Sequence, residues 1–153
     1  LLENNLDKPF VVCTSKSKIK KYCEGKKNIF YIEFANNIEK FFIMKNSYIN
    51  LFTSDNKAES FGIILMECQM FGVPSIVFNL QTGVNIIIKD GYNGLVANLN
   101  NNEEFNNIYK KIYNDVPLRE KLSLNSRLNY EKNYNLNNFE NYYKFLLSNF
   151  IKH

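Results

Sequence analysis

The chain has 153 residues, enough to bury a real core as one domain of ordinary size, and 45% hydrophobic with 22% charged residues is a globular balance. Its formal charge of +4 is a mild excess that favours an anionic ligand or surface without requiring one. A single histidine, His153, argues against Ser-His and Cys-His catalysis, and cysteines at 13, 23 and 68, with no C-x-x-C spacing, point to neither a zinc site nor a disulfide framework.

Short β-prone apolar runs alternate with helix-length segments as far as residue 97. Strands are predicted at 10–14, 29–32, 48–53, 75–78 and 95–97, with crossover helices near 16–24, 37–46 and 62–71. Such alternation marks an α/β domain with right-handed crossovers. The expected fold is Rossmann-like and three-layered, with a mainly parallel sheet, and residues 1–153 form a single domain. After residue 100 the pattern is helical alone. Phe105, Ile108, Tyr109 and Ile112 share one face, followed by Leu118 and Leu122, then by Leu136, Phe139, Tyr143, Leu146 and Phe150. Three amphipathic helices are predicted there as a helical carboxyl-terminal tail. Pro9, Pro74 and Pro117 each stand at the start of a predicted element.

No apolar run approaches the length of a membrane span, and no signal peptide opens the chain, so a reducing cytoplasm is expected. Leu1 in place of methionine points to a piece of a longer polypeptide. The densest basic cluster is Lys16, Lys18, Lys20, Lys21, Lys26 and Lys27. It reads as a solvated face, with phosphate or anionic-lipid contact as the alternative. Lysines without interleaved arginine are poor specific readers, so no nucleic-acid partner is expected. The aspartates, at 7, 55, 90 and 115, lie far apart, with no D-x-D pair, Walker loop or G-x-G-x-x-G. A ligand is expected to bind without a metal or cofactor of the chain's own.

The most informative stretch is "AESFGIILMECQMFGVPSIVF", residues 58–78. Its helix, 62–71, is apolar on every side apart from Glu67 and Gln69, and such a helix is expected to be buried. A buried carboxylate needs a partner, and no basic residue stands at i±3 or i±4 from Glu67. Glu59 precedes the helix by about one turn, after a strand and a polar loop. Ligands of open α/β sheets sit there, at the carboxyl ends of strands. The amides of Phe61, Gly62, Ile63 and Ile64 would point to the same place as an anion site. The set suits a diphosphate between two hydroxyl-bearing rings, as in a nucleotide-sugar. The structural alternatives are that Glu59 is a helix-dipole acid, Ser60 an N-cap, and Glu67 the partner of a lysine from a neighbouring element.

Glu59-Ser60-Phe61-Gly62 followed by Glu67 resembles the E-x7-E motif, commonly E-G-F-G-x-x-x-x-E, of retaining GT-B glycosyltransferases of the family 4 type. "FGVPSIVFN" is similar to that family's A-x-G-x-P-V-V-A stretch, "IIKDGYNGLVA" to its I-I-x-D-G-x-N-G-x-L-V, and "INLFTSDNKAESFG" to its strand-loop approach. The resemblance covers roughly residues 10–150 and is sharpest over 51–97. It implies the donor-binding, carboxyl-terminal half of a transferase that moves a sugar from a UDP- or GDP-sugar to a glycan or lipid-linked acceptor with retention. It further implies bacterial surface polysaccharide or lipopolysaccharide biosynthesis, at the inner face of the membrane with peripheral contact.

By the same resemblance Glu59, the catalytic and donor-binding carboxylate, contacts the sugar hydroxyls. Phe61 and Gly62 offer amides to the sugar, Ile63 and Ile64 offer theirs to the diphosphate, and Glu67 accepts from the ribose. No metal takes part. The sequence departs from the pattern in three places. Ile86 stands where the family usually has a glutamate. "VVCTSKS" lacks the usual G-x-G after its strand, and the Arg and Lys that bind the diphosphate have no counterpart. The family's amino-terminal acceptor domain is missing, so the fragment alone is expected to be inactive. Two alternatives are a non-catalytic interaction module on the same fold and another GT-B enzyme, such as a sugar-nucleotide epimerase.

Overall fold

The computed structural model describes residues 9–56, Ala58, residues 62–138 and Glu140. The fold is α/β and Rossmann-like, and every strand pairing among the described residues is parallel. Two compact units divide the chain at Asn46 and Ser47.

In the first unit β1 (Phe10–Cys13) pairs with β2 (Ile29–Ile32), crossing over through α1 (Ser17–Cys23). Helix α1 packs on β2, and Cys23 and Ile29 are buried in this unit. Helix α2 (Asn37–Lys45) starts at a reciprocal cap: Glu39 N–H donates to Asn36 Oδ1 at 3.0 Å, and Asn36 N–H donates to Glu39 Oε2 at 2.9 Å. Of the six clustered lysines only Lys26 is half-buried, over the Tyr22 ring at 4.3 Å, and Lys20 reaches Glu33 at 3.3 Å. At this exposure the pair adds little to stability.

The second unit is built on a sheet of order β3-β4-β5, from Asn50–Phe52, Ser75–Phe78 and Gly94–Ala97. All four residues of β4 are buried, as befits a central parallel strand covered on both faces. Helix α3 (Ile63–Met70) packs beside β3, and α5 (Asn102–Asn114) lies on β4 and β5, with the Phe105 and Phe78 rings 4.8 Å apart. The face predicted for α5 is the one it buries, through Phe105, Tyr109 and Ile112.

A short helix, α4 (Gly83–Ile87), lies between β4 and β5 and was not predicted. Five residues are too few to show a period, and Thr82 supplies its cap by accepting from Val84 N–H at 3.4 Å. Helix α6 (Val116–Asn133) is one long helix, begun by Asp115 as N-cap and Pro117 in its first turn. Arg119 closes the end of α5 by donating to the carbonyls of Ile112 at 3.1 Å and Tyr113 at 2.7 Å. Residues 136–138 are helical, so the third predicted tail helix lies mostly outside the described residues, with Phe139, Tyr143, Leu146 and Phe150.

The core of this unit is partly polar. Helix α6 buries Leu122 together with Ser126 and Asn129, while Leu124 and Leu128 are exposed. Ser126 Oγ donates to the Asn93 carbonyl at 2.7 Å, and Asn129 Nδ2 to Gln69 Oε1 at 2.7 Å. The Asn93 side chain is itself fully engaged, accepting from Lys89 N–H at 2.8 Å and donating to the Ile87 carbonyl at 2.9 Å. Each of these buried amides and hydroxyls has a partner, which removes most of its desolvation penalty.

Candidate donor site

The chain leaves β3 and reaches α3 through Gly62, a buried residue at φ +63° that caps the helix. A Cβ there would lie 3.0 Å from Leu65 Cδ1 and 3.6 Å from the Phe52 ring, so left-handed backbone and close packing both select glycine. Gly62 is thus the cap of α3 and not its first residue, one position later than the predicted start. Leu65 N–H donates to the Gly62 carbonyl at 2.8 Å. Ile63 and Ile64, in the first turn, are exposed by 65% and 38%, and the first amides of a helix have no partner within the helix itself. No acidic side chain in that first turn offsets the positive end of the helix dipole.

Glu67 lies one turn further along α3 and is half-buried. The expectation of a helix buried on every side is therefore corrected. Leu65, Cys68 and Gln69 face the interior, and the opposite side, with Glu67, is partly open. The fully buried polar group of α3 is Gln69, for which the sequence held the same signal as for Glu67: a polar residue inside an apolar run. Glu59, Ser60 and Phe61 lie outside the described residues.

The carboxyl ends of β4 and β5 add a feature that sequence reasoning missed. An open polar cleft of about 340 Å³ is lined by Asn79, Asn85, Lys89, Asp90 and Asn98, together with Ile88. Its only sequence signal is an asparagine directly after each strand, at 79 and 98. Ile86, in α4 nearby in sequence, is exposed by 67%. Among the described residues no cluster of three His, Cys, Asp or Glu side chains is arranged to hold a metal ion, and no helix is long and apolar enough to cross a membrane.

Residues 14–129 match the family model for glycosyl transferases group 1. The chain belongs to that family. Among curated proteins this group 1 glycosyltransferase chain is similar to the D-rhamnosyltransferase WbpZ of Pseudomonas aeruginosa, at 26% identity over 71% of the chain and 28% of the relative. Its fold is that of Anabaena HepE, solved with UDP (TM-score 0.79, 15% identity, 97% of this chain and 44% of that one). It is also that of WaaG, a glycosyltransferase involved in lipopolysaccharide biosynthesis (TM-score 0.69, 20% identity, 82% and 34%). The group 1 chain thus spans less than half the length of each of these relatives.

Proposed function

We infer that this chain is the donor-binding, carboxyl-terminal part of a retaining GT-B glycosyltransferase of the family 4 type. The observation that carries the reading is the entry into α3: a glycine cap, an exposed first turn and Glu67 one turn on, beyond the carboxyl end of a parallel strand. The family match over 14–129 and the UDP and UDP-glucose in the structures of HepE support it. In this reading the amides of Ile63 and Ile64 face the diphosphate, Glu67 accepts from ribose hydroxyls, and Glu59, Phe61 and Gly62 face the sugar. Charge growing on the leaving diphosphate is met by fixed helix amides, so the transfer needs no metal. The acceptor is a glycan or lipid-linked sugar of bacterial surface polysaccharide or lipopolysaccharide synthesis, as the similarity to WbpZ and WaaG supports. The reaction belongs at the cytoplasmic side of the membrane, in peripheral contact with it.

A calorimetric screen of UDP-, GDP- and ADP-sugars against the complete protein tests the proposal. Binding of one nucleotide class with micromolar to millimolar affinity is the expected result, and indifference to all three would leave a non-catalytic module on the same fold. The division of labour between the carboxylates is checked by Glu59→Gln. That substitution is expected to lower transfer while sparing affinity for the free nucleoside diphosphate, because its partner is the sugar. Equal losses for donor and free nucleotide would move Glu59 to the nucleotide, and loss of folding would make it a structural residue of the approach to α3.

A further inference from the structure

Gln69 is fully buried, and both ends of its amide are engaged. Nε2 donates to the Ile87 carbonyl at 3.2 Å, while Oε1 accepts from Asn129 Nδ2 at 2.7 Å. The Ile87 carbonyl, in the last residue of α4, also accepts from Asn93 Nδ2 at 2.9 Å. One hydrogen-bonded chain therefore ties α3 to α4, to the loop 88–93 and to α6.

Two positions along a helix are about 200° apart around its axis, so Gln69 lies on the side of α3 turned away from Glu67. The other buried side chains of α3 are Leu65 and Cys68, and at its last residue the Met70 carbonyl accepts from Arg127 of α6. Apolar contact is non-directional, and on its own it lets a helix roll or slide slightly at small cost. Hydrogen bonds weaken steeply once misaligned. A methionine would fill the same volume without the cost of burying an amide, so what the amide adds is direction.

We propose that Gln69 is a positioning residue of the donor site: its clamp fixes the roll of α3 and thereby aims Glu67 at the ligand. The inference rests on the reading above, in which Glu67 holds the nucleotide.

The test is a double-mutant cycle on the affinity of the complete protein for UDP, GDP and ADP, with thermal melting followed in parallel. Gln69→Met is expected to weaken binding about tenfold in the native background, by the loss of one well-aligned contact. In a Glu67→Ala background the same substitution is expected to change affinity by less than about twofold, since nothing remains to be aimed. A merely structural glutamine would lower melting in both backgrounds without this non-additivity. The same factor in both backgrounds, or no change in either, overturns the proposal. Should Gln69→Met fail to fold, Asn129→Leu removes only the α6 half of the clamp and should show the same pattern with a smaller factor. If the unsubstituted protein binds none of the three nucleotides, the donor reading falls and this inference with it. If it binds and the cycle is additive, this inference alone falls.

Discussion

Replacing Gly94 with alanine is expected to cost about 3 kcal/mol of stability or more. A Cβ at position 94 would lie 2.4 Å from the Ser75 carbonyl oxygen and 2.7 Å from Ile88 Cγ2. The isoleucine has other rotamers, but the oxygen does not move alone. It belongs to the main chain of β4, where Ser75 stands opposite Gly94 in the parallel register. Relief requires β5 to separate from the central strand, and the ladder from Ser75–Gly94 to Phe78–Ala97 weakens with it. Melting followed by circular dichroism should fall by about 10 °C or more in the variant. A melting temperature equal to the parent's would show that β5 shifts without cost.

Glu67→Ala is expected to weaken nucleotide binding by about 1.5–3 kcal/mol, the range for charge-assisted hydrogen bonds to hydroxyls. The fold should tolerate the change. Glu67 is half-buried on the open side of α3, and alanine is the best helix former. Donor titration and a melting curve on the same preparation separate the two effects. Intact donor affinity with a large loss of stability would make Glu67 a packing residue with a protein partner.

Much of this was legible in the chain itself. The predicted strands 29–32 and 75–78 match β2 and β4 residue for residue, because short β-branched runs between turn residues leave little choice of boundary. Helix α5 was equally legible, since its apolar residues repeat at the helical period. The 48–53 strand shrinks to Asn50–Phe52, as Tyr48 is drawn out to the surface, 5.3 Å from the Arg119 guanidinium. Helix α6 was read from Leu118 and Leu122 alone because its inner side continues with Ser126 and Asn129. A search for apolar periodicity passes over a helix that docks through hydrogen bonds. Gln69 escaped for the same reason: its partner Asn129 is 60 positions away, and nothing local announces the pair. At the candidate site, Glu67 and Gly62 were singled out by chemistry, spacing and resemblance, while the left-handed cap at Gly62 and the half-burial of Glu67 depend on how α3 packs and could not be read from the sequence.

The enclosure of Asn93 also bears on how the protein ages. Asn-Gly is the dipeptide most prone to deamidation, since a following glycine leaves its amide nitrogen unhindered to attack the asparagine side chain. In the folded chain that attack is blocked. Both ends of the Asn93 amide are held, and the residue is closed to solvent. Unfolding releases the pair and starts the clock. An aspartate formed at 93 would press a carboxylate oxygen against the Ile87 carbonyl where an amide had donated, leaving an unpaired charge in the interior. Heating this protein therefore leaves its fastest chemical mark at Asn93, and each cycle of melting returns fewer molecules to the native state.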